Sequence, residues 1–197
     1  SVKNPLAVIN NAVHDLEQEQ RELILQQTKD ISKSVDHYLS RARTYGTEKV
    51  LGSRSSIKAA TEDLVYAMQR IYQERDLVFD LSRLMGCWFK GETQDLEEML
   101  GNLLDNACKW AKRRVEVRCR IDDDRLTIII EDDGPGIEES ERESVLQRGR
   151  KLDENTPGYG QGLSIVQEIA ELYDGSVRLG ESELGGLKVE LELPAAN

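Results

Sequence analysis

E-D-D-G-P-G-I-E-E-S, residues 131–140, follows the apolar run L-T-I-I-I, residues 126–130. The run is short, β-branched and closed by turn residues, which predicts a buried strand. Residues 132–136 fit D-x-G-x-G. An aspartate at a strand end can accept a hydrogen bond from an exocyclic amine such as that of adenine. Glycines just after it let the backbone pass close to a ring, where a Cβ would collide. The same composition also suits an ordinary acidic turn, so the stretch needs company before it means anything.

Composition sets the frame. The 197 residues are 39% apolar and 32% charged, enough for one or two domains with a real core. A formal charge of −11 argues against a nucleic-acid or acidic-membrane binder, since phosphate contacts need clustered Lys and Arg. No apolar run approaches the roughly 18 residues of a membrane span, and no signal-peptide pattern opens the chain. Cys87, Cys108 and Cys119 are widely spaced without a C-x-x-C pair. Reduced, buried thiols are expected, rather than disulfides or zinc ligands, as suits a cytoplasmic fragment.

Two regions differ in pattern. In 1–46, apolar residues recur at Leu6, Ile9, Val13 and Leu16, and again at Ile24, Ile31, Val35, Tyr38, Ala42 and Tyr45. This heptad seam predicts two helices that turn near Gln18 to Arg21 and pair with a second copy as a dimeric four-helix bundle. One continuous coiled-coil helix is the alternative. Residues 47–56 read as a small, polar linker. In 57–197 the expected order is a helix over 61–73, short strands at 78–81 and 87–89, and a helix over 96–112. A hairpin of 115–121 and 126–130, a helix after Gly162 and two final strands complete it. The fold class is therefore α+β: a helical hairpin, then an α/β sandwich with a mixed sheet and helices on one face.

Two further stretches accompany the opening one. N-L-L-D-N-A-C-K-W, residues 102–110, puts Asn102 and Asn106 one helical turn apart, with Lys109 three residues on. Amide oxygens suit Mg²⁺ and an ammonium suits phosphate, although a polar helix face in water is the plainer reading for the two asparagines. G-Y-G-Q-G-L, residues 158–163, opens a helix. Its glycines Gly158, Gly160 and Gly162, with Leu163, would let backbone N–H groups converge on phosphate, helped by the helix dipole. It is neither a Walker A loop nor a Rossmann turn.

In this order the three motifs resemble the ATP-binding domain shared by sensor histidine kinases, gyrase, HSP90 chaperones and MutL, over roughly residues 57–195. The resemblance implies that Asp132 reads adenine and that Gly134, Gly136 and Ile137 line the purine pocket. It implies that Asn106 with Asn102 holds Mg²⁺, and that Lys109 meets phosphate. The ATPase branch carries a Glu where Asn102 stands, and an amide is no general base, so the kinase branch fits better. V-K-N-P-L-A-V, residues 2–8, is similar to the tail of the phosphoacceptor motif H-x-[LV]-[KR]-[TN]-P-L. The acceptor histidine would then directly precede Ser1, and Asn4, one turn on, would position water for phosphatase activity.

The resemblance further implies a homodimer, a response regulator receiver domain as partner, ATP and Mg²⁺ as cofactors, and a parent in the bacterial inner membrane. A lid over about 145–161 would bring Arg148, Arg150 and Lys151 to the γ-phosphate. Leu146 replaces the usual lid Phe, Thr156 stands where an Arg is usual, and Tyr159 and Gln161 are atypical. Trp110 can stack near adenine or pack in the core. His14 and His37 lack the acceptor motif and read as solvated helix surface. A non-catalytic, nucleotide-gated dimer that binds a response regulator is the rival reading, and a gyrase-like ATP hydrolase a weaker one.

Overall fold

The computed structural model describes residues 53–84, 86–146 and 162–196. Residues 1–46, where two helices, their turn and a bundle are expected and where Asn4, His14 and His37 fall, lie outside the described residues, as do residues 147–161 of the expected lid. The chain divides into two compact units, 1–51 and 52–197, and only the second is described here.

That unit opens with strand β1 (Ser55–Ser56), so the last two residues of the expected linker are already structured. Ser56 then caps helix α1 (Ile57–Ile71), its hydroxyl accepting from the Ala59 N–H at 3.3 Å. The helix starts four residues earlier than periodicity suggests, because a Ser cap marks the boundary better than the first apolar step. It buries Ile57, Ala60, Thr61, Val65 and Met68, a three-and-four spacing that lays one stripe on the core. A 3₁₀ turn (Gln73–Arg75) and a left-handed Asp76 lead into β2 (Val78–Arg83). Short β3 (Trp88–Phe89) pairs with β1, and helix α2 (Thr93–Trp110) follows.

The hairpin forms as expected from β4 (Arg114–Asp122) and β5 (Arg125–Asp132), with Asp123 at φ 54° in its tight turn. A short helix α3 (Glu139–Leu146) comes next. Sequence periodicity missed it, because it buries only Val145 and shows almost no apolar stripe. Helix α4 (Gly162–Leu172), β6 (Ser176–Glu181) and β7 (Leu187–Pro194) complete the unit. The main sheet runs β2-β4-β5-β7-β6, with β2 parallel to β4 and the remaining pairs antiparallel.

Alternation divides the faces of the sheet. Leu126, Ile128 and Ile130 on β5 join Leu96, Met99, Leu100, Leu103 and Leu104 of α2 in one core. The opposite face carries charge instead: Arg118 meets Glu131 at 2.6 Å, and Arg125 and Arg178 share Glu192. Arg75 reaches from the 3₁₀ turn to the end of α2, donating to the carbonyls of Cys108 (2.9 Å), Ala111 (2.7 Å) and Lys109. Those carbonyls have no intrahelical donor, so Arg75 acts as a side-chain cap.

The cysteines differ from expectation. Cys87 and Cys119 are joined in a disulfide with Cα atoms 6.5 Å apart, while Cys108 alone stays a thiol. Burial pushes the Cys108 thiol up to about 12. Spacing could not show the bond, because Cys87 lies just before β3 and Cys119 on β4, 32 residues later in the chain. The Cys87 carbonyl also accepts the Ile57 N–H at 3.2 Å, so the bridge fastens the start of α1 to the sheet.

Closing a loop of that length restrains the unfolded chain, so reduction should lower stability by about 2–4 kcal/mol. Denaturant melts with and without reductant measure this. Thiol titration in denaturant should find one thiol before reduction and three after. Three before reduction would contradict the bridge.

Candidate functional site

Asp132 is the last residue of β5 and only 3% exposed. Its Oδ1 accepts two backbone N–H groups, from Gly134 at 2.8 Å and from Leu187 at 3.3 Å. Among the described residues, no donor reaches Oδ2. Burial pushes this carboxyl above the ordinary aspartate value, against the pull of the two amides. A buried carboxylate oxygen without a donor is costly, and a ligand amine is one way to satisfy it.

The surrounding glycines keep this corner open and close-packed. A Cβ on Gly134 would fall 2.5 Å from the Trp110 carbonyl oxygen, and one on Gly186 would fall 2.4 Å from Asp132 Oδ1. Gly136, at φ +72°, lies against the Gly186 carbonyl. Gly134 is therefore required by its fit against the end of α2, a reason the sequence reading did not supply. Ile137 is half-buried against the core, and its carbonyl accepts from Arg142 Nε at 3.0 Å.

The neighbouring Asp133 does something else. Its carboxylate accepts the N–H groups of Lys112 (2.8 Å) and Arg113 (2.9 Å), and so pins the turn between α2 and β4. Slight burial opposes its ionisation, but the amides of Arg113, Arg114 and Lys112 prevail and hold it below the usual carboxylate range. Of the two adjacent aspartates, one braces the backbone and one presents an unsatisfied oxygen.

On α2, Asn102 donates from Nδ2 to the Glu98 carbonyl at 2.8 Å. Its Oδ1 lies 3.2 Å from where a Cβ on Gly162 would sit. The Asn helix and the glycine-started helix α4 thus meet at this point, with Leu163 buried beside it. Asn106 is half-buried and makes no side-chain hydrogen bond among the described residues. Lys109 is engaged: its Nζ sits 2.6 Å from Asp105 Oδ2. Trp110 is 37% exposed, which removes the core-packing reading. Leu146 ends α3 and packs partly against the core. Gly158, Gly160, Arg148, Arg150, Lys151, Thr156, Tyr159 and Gln161 lie outside the described residues.

Asn102 and Gly162 thus meet midway along α2, while Asp132, Gly134 and Gly186 gather at its C-terminal end beside Trp110. Sequence reasoning missed Gly186, Leu187, Asp105 and Tyr72. The doublet G-G before the last strand was a usable signal for the first two. An open cavity of about 700 Å³ lined by Arg75, Asp76, Leu77, Val78, Lys112 and Arg113 contains none of the motif residues. Chemistry, not concavity, marks the site.

Comparison with known proteins places the chain in a family. Residues 91–197 match the family described as histidine kinase-, DNA gyrase B-, and HSP90-like ATPase. The sensor protein PhoQ of Escherichia coli (strain K12) is 36% identical over 97% of this chain and 40% of its own length. The chain thus spans about two-fifths of that curated relative. The ATP binding domain of PrrB from Mycobacterium tuberculosis superposes with TM-score 0.62 at 28% identity, over 73% of this chain and 97% of that one. Full-length ShkA in complex with AMPPNP gives TM-score 0.72 over 98% of this chain and 44% of that one. At 22% identity it supports the fold alone.

Asp132→Asn should weaken ATP binding by about 1.5–3 kcal/mol, the scale of a lost charge-assisted hydrogen bond, and leave GTP affinity almost unchanged. Calorimetry measures both. The raised carboxyl also carries a sign for stability. An acid favoured in its neutral form by folding costs stability once pH exceeds its folded value. Asp132→Asn should therefore raise the melting temperature at neutral pH, with the gain fading as pH falls through the carboxylate range. Equal ATP affinity in both proteins would remove Asp132 from the site.

Proposed function

The chain belongs to the histidine kinase-, DNA gyrase B-, and HSP90-like ATPase family, and from that premise we propose that it is the catalytic core of a PhoQ-like sensor kinase. In this reading ATP phosphorylates a histidine, and the phosphoryl group passes to an aspartate of a response regulator receiver domain. The carrying observation is Asp132: a buried carboxylate with one oxygen satisfied by backbone and the other left for an adenine amine.

Roles follow residue by residue. Asp132 selects adenine, while Gly134, Gly136 and Gly186 keep its corner free of side chains. Asn102 and Asn106 present amide oxygens, the hard donors that Mg²⁺ takes. When bound, Mg²⁺ neutralises charge on the phosphates. Asn102 in place of a carboxylate leaves the site without a water-activating base there, which favours transfer to a protein group over hydrolysis. Gly158, Gly160, Gly162 and Leu163 give the phosphates backbone N–H groups. Lys109, Arg148, Arg150 and Lys151 supply cations, and positioning with charge stabilisation provides most of the rate in such chemistry. Asn4 would orient water when the phosphorylated regulator is dephosphorylated.

Residues 1–46 form the dimerising and phosphotransfer hairpin in this proposal, 47–56 the linker and 57–197 the ATP-binding domain, within a parent anchored in the bacterial inner membrane. The heptad seam supports a homodimer. Val35→Asp should yield monomers that still bind nucleotide, because an unpaired carboxylate in such a seam costs several kcal/mol. Light scattering that finds the unaltered chain monomeric at high concentration would count against the bundle.

The reaction itself is tested with γ-labelled ATP. His14 and His37 lack the acceptor motif, so these 197 residues should bind Mg-ATP without labelling themselves. A chain extended by a histidine and its helix ahead of Ser1 should gain acid-labile phosphate. Label on the unextended chain would mean the acceptor is misplaced. No label on the extended dimer, with ATP binding intact, would favour the non-catalytic, nucleotide-gated module instead.

A further inference from the structure

Lys109 is the phosphate-seeking cation nearest the two asparagines in sequence, and it is already paired. Its ammonium meets Asp105 Oδ2 at 2.6 Å, and Asp105 Oδ1 accepts the Tyr72 hydroxyl at 2.7 Å. Both oxygens of Asp105 are thus in use. Burial, followed by the hydrogen bond to Asp105, pushes the Tyr72 phenol well up, so it stays a donor. At about 100° per residue, Asn102, Lys109 and Asp105 succeed one another in that rotational order around α2, leading away from Asn106. The ion pair therefore draws Nζ toward α1, which Tyr72 closes, and away from the asparagine side. Neither partner is deeply buried, with exposures of 33% and 38%. The contact is one that a phosphate can compete with.

We propose that Asp105 is a positioning residue that holds Lys109 aside, anchored by Tyr72, so that nucleotide phosphate must take the ammonium from it. The inference rests on the reading of Lys109 as a phosphate contact, and it adds a built-in competitor that sets how tightly ATP is held. Tyr72 makes that competitor depend on the first helix of the domain, the element that follows the linker directly.

Asp105→Asn is the sharp probe. Asn retains an oxygen for the Tyr72 hydroxyl and replaces only the charge that Lys109 uses. Calorimetry on the whole 197-residue chain with Mg²⁺ should show ATP bound about two- to five-fold more tightly, the scale of a half-exposed ion pair. Adenosine, without phosphates, should bind as before. Asp105→Ala should move ATP in the same direction, which covers the case in which the Asn variant fails to fold. In a Lys109→Ala background, Asp105→Asn should bring no gain.

A gain that persists without Lys109 would show simple repulsion between Asp105 and the phosphates, and would overturn the proposal. Unchanged ATP affinity in both Asp105 variants, with Lys109→Ala still weakening ATP, would overturn it while sparing the Lys109 reading. If Lys109→Ala leaves the ratio of ATP to adenosine affinity unchanged, the reading beneath it fails as well.

Discussion

The corner where β5 ends depends on a buried carboxylate, one of whose oxygens meets no donor among the described residues. Asp132 Oδ1 gathers the N–H of Gly134 from its own loop and that of Leu187 from the start of the neighbouring strand. These two bonds set where β5 ends and where β7 begins. They also fix which oxygen faces inward without a partner. An unpaired buried oxygen is a standing cost, and the domain bears it at a point where three glycines exclude competing side chains. In the proposed function the same arrangement would favour a ligand edge that donates.

Around that corner, the fold divides labour among adjacent residues that look alike. Asp133 spends its charge on the amides of Lys112 and Arg113, locking the α2–β4 turn against which Gly134 rests. Asn102 braces itself on its own helix through one amide atom and turns the other toward Gly162. Asp105 bridges Tyr72 and Lys109. In each case the immediate contact, not the residue type, separates a structural part from a chemical one.

This explains what the sequence could and could not reveal. Strands β4 and β7 and helix α2 were legible because one buried face imposes a clear period on each, and β5 because its short apolar run is closed by turn residues. D-x-G-x-G and the paired asparagines stood out because the chemistry proposed for them would fix residue type at fixed spacing. Helix α3 was not, since a nearly uniform polar helix has no stripe to detect. The Cys87–Cys119 bridge and the Gly186 contact were not, because both join segments distant in sequence. Periodicity carries no information about such meetings. The tie between Tyr72 and Asp105 was hidden for the same reason.

The order of the strands has a consequence for how the domain comes into being. β7 is the last of the described strands in the chain, yet it sits inside the sheet between β5 and β6. It also supplies the Leu187 amide that holds Asp132. On the ribosome, β5 and its acidic loop emerge more than fifty residues before that strand, and wait as an open edge with a carboxylate not yet fastened. The helices and the β4–β5 hairpin can assemble from local contacts meanwhile. The corner around Asp132 cannot close until β7 has been made, so under the proposed function a nascent chain could not hold nucleotide there until almost its whole sheet is in place.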